Sequence, residues 1–195
     1  MRIKRIGIFI LICAIFLFIF NSLTFAGTIK GKVTTKKLKI PKDIVVYIEK
    51  IEGKVFPPAK EPVIMNQVSL VFVPRVIPIV LGSTVNFKNS DDVLHNVFGV
   101  GEAEFDLGTW TGREIRDYTF NKLGEVAILC NVHPEMEAYV LVLQNPYSAL
   151  TDEQGNYIMK DVPSGTYTLK TWHDSLKSVS KEISISTQEE IVVNF

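Results

Sequence analysis

Short strand-like segments separated by turn residues dominate this 195-residue chain and restrict it to an all-β fold. Apolar and polar residues alternate in residues 28–34 and 69–73, and β-branched residues fill 44–48. Turn signals such as residues 89–92 recur at short intervals, which is the pattern of a β-sandwich. No segment has a long helical period, although we expect a single helical turn at 103–107.

The first 26 residues have the composition of a secretory signal peptide. Three basic residues near the start precede an uncharged stretch, residues 6–20, and small residues precede Ala26. We therefore predict that residues 1–26 are a signal peptide cleaved after Ala26, and that the mature protein is exported to the periplasm. An uncleaved membrane anchor is the alternative, for which the uncharged stretch is a little short.

Removal of the signal peptide would leave Cys130 as the only cysteine, because Cys13 lies in the apolar stretch. A single thiol in an oxidising compartment is a liability unless something occupies it, and a metal ion is one such occupant. The mature chain would keep 18 of the 21 basic residues and all 21 acidic ones. This balance excludes the general basic surface of a nucleic-acid-binding protein. The lysines between Lys30 and Lys60 are typical of a solvated face.

Three side chains that bind soft metals fall within the seven residues CNVHPEM, from Cys130 through His133 to Met136. A tight turn can bring them around one point, and this thiolate, imidazole and thioether set favours copper. His95, after the turn at 89–92, is the candidate for a further equatorial ligand.

Each of these residues also has an ordinary interpretation. Cys130 or Met136 alone is typical of a buried core, and His133 alone of the surface. A zinc site recruits more cysteines or carboxylates. A catalytic Cys–His pair needs an orienting third group, which the sequence does not show. We read His173 as structural or surface-exposed.

Two stretches of the chain resemble the cupredoxin family. Residues 72–99 (FVPRVIPIVLGSTVNFKNSDDVLHNVFG) resemble the part that carries the first histidine ligand, and residues 124–136 (GEVAILCNVHPEM) the part that carries the other three. The Cys-x-x-His-x-x-Met spacing is that of amicyanin. The resemblance implies a Greek-key β-sandwich with one type 1 copper ion. The ligands that it implies are His95, Cys130, His133 and Met136. It also implies that Asn96 ties the two ligand loops together near the thiolate sulfur.

The C-terminal part resembles a different module. Residues 151–173 (TDEQGNYIMKDVPSGTYTLKTWH) are similar to the carboxypeptidase regulatory-like, or prealbumin-like, β-sandwich. Its opening strands are expected at 27–33 and 43–49, on the far side of the cupredoxin-like region. We therefore predict that this module comprises two segments, residues 27–51 and 145–195. A linker at 52–64 and a cupredoxin domain at 65–144 would separate them. The arrangement resembles exported methylamine-utilisation or plastocyanin-like proteins.

The cupredoxin resemblance implies a periplasmic carrier of single electrons with His133 as the electron port. Its partner would be a redox protein such as a cytochrome or a periplasmic oxidoreductase. Membrane contact is expected only if the signal peptide stays uncleaved. A copper carrier or buffer with the same ligands is the alternative, and a structural module with incidental copper is a third reading. We do not expect an enzyme, because no second metal site or open substrate position is apparent in the sequence.

Overall fold

The computed structural model describes residues 26–112 and 114–195, and within them the protein is all-β. No helix in these two ranges is long and apolar enough to cross a membrane. The predicted signal peptide lies outside the described residues except for Ala26, where the first strand begins. The strands are β1 (Ala26–Lys32), β2 (Val45–Ile48), β3 (Val63–Val68), β4 (Val71–Val73), β5 (Val76–Val80), β6 (Thr84–Asn89), β7 (His95–Gly101), β8 (Phe105–Trp110), β9 (Ile115–Thr119), β10 (Gly124–Leu129), β11 (Glu137–Leu143), β12 (Ser148–Leu150), β13 (Asn156–Pro163), β14 (Gly165–Trp172), β15 (Ser180–Ile185) and β16 (Glu190–Val192).

The central part of the chain forms a sandwich of two sheets, which we call the central sandwich. One sheet has the strand order β5-β11-β10-β7-β8 and the other β4-β3-β6-β9. Residues alternate between buried and partly exposed along β6, as expected for a strand with one face on a core. Phe87, Phe120 and Ile128 are fully buried between the sheets. The predicted all-β sandwich fold is confirmed.

Strands from both ends of the chain form a second pair of sheets, which we call the flanking sandwich. The sheet orders are β13-β1-β16 and β12-β2-β14-β15. Strand β1 pairs with β13 and β16, and β2 pairs with β12 and β14. Ile29, Ile44 and Leu169 are fully buried in the core between these two sheets. The chain therefore leaves this unit after β2 and re-enters it at β12.

Two local expectations differ from the structure. The helical turn predicted at 103–107 is wrong, because β8 begins at Phe105 and pairs with β7. The pairing of β7 with β8 includes a register shift between Asn96 and Phe98, as at a β-bulge. Strand β3 begins at Val63, which pairs with Val85, so the last residues of the predicted linker belong to the central sandwich.

The two sandwiches pack against each other along β11. Tyr139 and Leu141 on β11 are buried with Val45 of the flanking sandwich. The rings of Tyr139 and Trp172 meet edge to face, with centroids 5.4 Å apart. The Arg75 guanidinium donates to Asp174 at 2.9 and 3.0 Å and closes the edge of this contact.

We propose that residues 27–51 and 145–195 form one folding unit that the central sandwich interrupts, and truncation tests this. A chain cut after Gln144 loses every strand with which β1 and β2 pair. Two strands with unpaired edges invite aggregation, so we expect this fragment to form large species in size-exclusion chromatography. A full chain with a specific protease site in the segment 52–61 should stay assembled after cleavage, because all strands remain. A monodisperse, monomeric 26–144 fragment would contradict the proposed unit.

Candidate metal centre

Strand pairing brings the two sequence regions with candidate ligands to one end of the central sandwich. His95 is the first residue of β7, and Cys130 follows the last residue of β10. These strands are antiparallel, with Leu129 opposite Phe98, so the start of β7 lies beside the loop after β10. Met136 then precedes β11, which returns alongside β10.

The geometry of the donors fits one metal ion. The ligand atoms of His95, Cys130 and His133 all lie within 4.8 Å of one another. The two Nδ1 atoms of His95 and His133 are 3.0 Å apart. Trigonal bonds of about 2.0–2.3 Å separate the donors by roughly 3.5–4 Å, so an ion fits with small adjustments.

Burial differs sharply among the candidate ligands. The exposed fraction is 0% for His95, 3% for Cys130 and 1% for Met136. Met136 belongs to the same buried cluster as Cys130, and its N–H donates to the His133 carbonyl at 3.0 Å. His133 is partly exposed. One imidazole therefore reaches the surface from an otherwise closed site.

A carboxylate holds the buried histidine. The Asp91 Oδ2 atom lies 2.8 Å from His95 Nε2, so the proton belongs on Nε2 and Nδ1 is left free as the ligand atom. The same carboxylate accepts the N–H groups of Ser69 at 2.6 Å and Leu70 at 3.0 Å. Partial burial works to raise the pKa of Asp91, but these hydrogen bonds from Leu70, His95 and Ser69 hold it below its usual value.

Asp91 also supports a strained turn. Ser69 and Leu70 have φ angles of 56° and 61°, in the left-handed region that these residue types rarely adopt. They form the tip between β3 and β4, and both amides point at Asp91. Sequence reasoning treated Asp91 only as a turn residue. An acidic residue four positions before a candidate histidine was the available signal.

Asn96 connects three segments around the thiol. Its N–H donates to Cys130 Sγ at 3.3 Å, and its Oδ1 accepts the N–H of Asn131 at 3.3 Å. Its Nδ2 donates to Asp106 Oδ1 at 2.7 Å and to the Gly108 carbonyl at 3.0 Å. The backbone and side chain of Asn96 thus connect the start of β7 with the loop that carries Cys130 and with residues 106–108.

The third histidine lies elsewhere. His173 belongs to the flanking sandwich, and its Nδ1 accepts the N–H of Ser175 at 3.1 Å. It is 9% exposed, and burial lowers its pKa. It is not part of the donor cluster.

Comparison with known proteins gives structural likenesses only. No protein-family model matches the chain, and no curated protein matches it. A copper-containing nitrite reductase (NirK) from Thermus scotoductus SA-01 is 27% identical, with a TM-score of 0.41, and the match covers 50% of this chain and 25% of that one. A mutant of amicyanin in its reduced state is 23% identical, with a TM-score of 0.40, over 44% of this chain and 91% of that one. A purple cupredoxin from Nitrosopumilus maritimus is 19% identical, with a TM-score of 0.38, over 41% of this chain and 98% of that one.

The structural similarity to these three proteins is limited. All three TM-scores are below 0.5, and the chain spans a quarter of the nitrite reductase chain. The case for a metal therefore rests on the donors themselves. The candidate site of this all-β protein combines two imidazoles and a thiol, and a buried thioether lies in the loop that carries the thiol and one of the imidazoles. These are donors of copper sites.

Proposed function

We propose that this protein is a type 1 copper protein that carries single electrons. The observation that supports this proposal most directly is a buried donor cluster from which one imidazole reaches the surface. The proposed ligands are His95, Cys130, His133 and Met136. Copper, when bound, supplies the one-electron couple. The chain supplies a site that changes little between the two oxidation states.

Rigidity of the site follows from its hydrogen bonds. Asp91 holds His95 in one tautomer, and the Asn96 N–H holds the Cys130 sulfur. Hydrogen bonding at the sulfur and the strength of the axial donor both tune the reduction potential. Met136, whose side chain is enclosed by the core, would supply the weak fourth donor when copper is bound.

His133 is the proposed electron port. Apolar side chains near it in sequence and on the neighbouring loop are exposed, including Val132 at 43% and Leu94 at 53%. Apolar surface around a partly exposed ligand suits a small, weak docking contact. The proposed partner is a redox protein such as a cytochrome or a periplasmic oxidoreductase. The signal-like composition of residues 1–26 supports export to the periplasm.

A copper carrier or buffer is less well supported by the same site. Metal exchange needs ligands that a second protein can reach, yet His95, Cys130 and Met136 are each 3% exposed or less. Met65 and Met159 are also buried in the two cores and offer no surface thioether. An enzymatic role would need an open coordination position, whereas the four proposed ligands would fill a four-coordinate site.

Copper loading tests the proposed function directly. One equivalent of Cu(II) should turn the purified protein blue or green, and one electron per protein should remove the colour reversibly. Electron paramagnetic resonance of the oxidised form should show the narrow copper splitting of a thiolate-bound ion. If a Cu(I) chelator removes the metal after reduction, the protein is a copper carrier rather than an electron carrier. If bound copper gives no colour, the type 1 assignment is wrong.

Met136→Leu should keep copper bound and raise the reduction potential by tens of millivolts. The thioether is a weak donor that stabilises Cu(II) slightly, and a leucine of similar volume removes it without opening a cavity. Voltammetry of both proteins measures the shift. Met65→Leu is the matched control, because Met65 is equally buried in the same core and lies outside the ligand loop. Equal potentials for the two variants would contradict the role of Met136 as a copper ligand.

A further inference from the structure

Four lysines lie close together in the connection between β1 and β2. We call residues 34–42 the lysine loop; its cationic side chains are Lys36, Lys37, Lys39 and Lys42. All four residues are exposed. Among the described residues, none of the four forms an ion pair. The charge of this loop is therefore available to a partner.

The lysine loop is fixed to the flanking sandwich. Leu38 packs against the core of that sandwich. The hydroxyl of buried Thr151 donates to the Pro41 carbonyl at 2.7 Å, and the Asp43 N–H donates to the Thr151 carbonyl at 3.2 Å. These anchors hold the backbone in place while the lysine side chains face outward.

The lysine loop lies at the same end of the molecule as the candidate metal centre. Lys42 and Asp43 line a cleft of about 510 Å³ together with Arg75 of the central sandwich. Glu135 in the loop 130–136, which carries three of the proposed ligands, and Glu137 at the start of β11 also line that cleft. The charged loop of one sandwich and the ligand loop of the other therefore border one surface.

At the end away from the candidate metal centre, the two sandwiches also lie side by side. Thr166 and Thr168, near the start of β14, line a depression with Leu123 and Gln144. Leu123 precedes β10, whose other end leads to Cys130. Strand β14 runs for eight residues from this end to Trp172, about 26 Å. The lysine loop is thus placed near the proposed port rather than at the far end.

Carboxylates near the loop offset its charge on one side only. In the cleft, Asp43, Glu135 and Glu137 lie with Lys42, while Asp174 is bound to Arg75. The other three lysines of the loop do not line this cleft. A fifth lysine, Lys177, lines a shallow groove with Lys37 on the other side of the loop.

We propose that the lysine loop is the electrostatic part of the docking surface, and that the redox partner carries an acidic patch beside its own electron-transfer site. The proposal rests on the proposed electron-carrier function and adds the chemistry of the partner. Apolar contact at His133 would bring the two centres close, while the lysines would steer and orient the encounter. Steering of this kind raises association rates and is screened within about 8–10 Å at moderate salt.

The rate of reaction with a small anionic oxidant measures the electrostatic potential near His133, and it requires no identified protein partner. The copper-loaded, reduced full chain gives one electron to hexacyanoferrate(III), which becomes hexacyanoferrate(II). The test variant replaces the four loop lysines with glutamate: Lys36→Glu, Lys37→Glu, Lys39→Glu and Lys42→Glu. The matched control makes the same charge change at four other exposed lysines: Lys54→Glu, Lys60→Glu, Lys122→Glu and Lys160→Glu. Stopped-flow rates are measured from low to high ionic strength.

We expect the loop variant to react about tenfold more slowly than the wild type at low salt, and the two rates to converge at high salt. The control should lose markedly less, although its net charge is the same. The cationic oxidant tris(phenanthroline)cobalt(III) should show the opposite order. Equal rates for the loop and control variants would overturn the proposal while leaving the copper function intact. A protein with no visible band and no reaction with either oxidant would instead overturn the proposed function.

Vesicle binding distinguishes an acidic protein partner from an anionic membrane. Wild-type protein should not sediment with phosphatidylglycerol vesicles at physiological salt. Sedimentation that the loop variant loses and the control keeps would assign the lysines to a lipid surface and overturn the proposal. Thermal melts of both variants check that the fold is retained, which the exposed positions lead us to expect.

Discussion

Cys130→Ser will bind copper without the intense visible absorption of the wild-type protein. That absorption comes from charge transfer between a thiolate and copper, and a serine hydroxyl is a harder donor that stays protonated near neutral pH. The structure leaves no substitute, because Cys130 is the one free cysteine of the described residues. Absorption spectra of equal concentrations of copper-loaded protein measure the loss, which we expect to be complete.

Val132→Ser is the control for this experiment. Val132 lies in the same loop and is 43% exposed, so a hydroxyl there faces solvent and adds no ligand. The control should keep the colour and the melting temperature of the wild type. If a Cys130→Ser protein stays coloured, the thiolate is not a ligand. If the Cys130→Ser protein fails to fold, its apo form will differ from that of Val132→Ser in far-ultraviolet circular dichroism. The absorption measurement is then repeated with Cys130→Ala.

The sequence was sufficient for the fold class and for the candidate ligands. Alternation along segments such as 28–34 depends only on which face of a strand is buried, so it can be read locally. Cys130, His133 and Met136 fall in one short loop, and their spacing alone brings them near one another. His95 is distant in sequence, and it was identified by its place after the turn at 89–92 and by the cupredoxin resemblance of its surroundings.

Features that depend on contacts between distant segments could not be predicted in the same way. The helical turn expected at 103–107 is an edge strand, because pairing with β7 overrides the local pattern. The exact start of β3 depends on its parallel partner, β6. The contact of Arg75 with Asp174 joins residues 99 positions apart, and no local pattern marks either of them.

Asp91 is the clearest case of a site residue that required the structure. Its sequence context, Asn89-Ser90-Asp91-Asp92, reads as a turn in which the two aspartates are equivalent. In the structure, Asp91 accepts three hydrogen bonds, whereas Asp92 is exposed. The difference comes from the β3–β4 tip, which approaches Asp91 from more than twenty residues away in sequence.

Asp91→Ala will weaken both the fold and the metal site. The change removes the acceptor for the Ser69 and Leu70 amides and for the buried His95 ring. A hydrogen bond to a charged group stabilises a fold by about 1.5–3 kcal/mol. Because the freed Ser69 and Leu70 amides can bind water, we expect a total loss of only about 2 kcal/mol in the free energy of unfolding. Loss of the partner that orients a ligating histidine lowers metal affinity by about 10–100-fold. Urea unfolding of the apo protein and competition with a copper chelator measure the two effects separately.

Two further variants separate the role of Asp91 from a general effect of the turn. Asp92→Ala removes a neighbouring carboxylate that holds none of these donors, so it should leave both measurements close to the wild type. Asp91→Asn can place its single oxygen where Leu70 and His95 donate, and it loses only the acceptor for Ser69. Its copper affinity should therefore fall between those of the other two variants. The Nε2–H resonance of His95 in the apo protein should persist in Asp91→Asn and be lost to solvent exchange or tautomer averaging in Asp91→Ala. Equal copper affinity in Asp91→Ala and Asp92→Ala would mean that packing alone orients His95, because His95 would then keep its ligand geometry without the carboxylate.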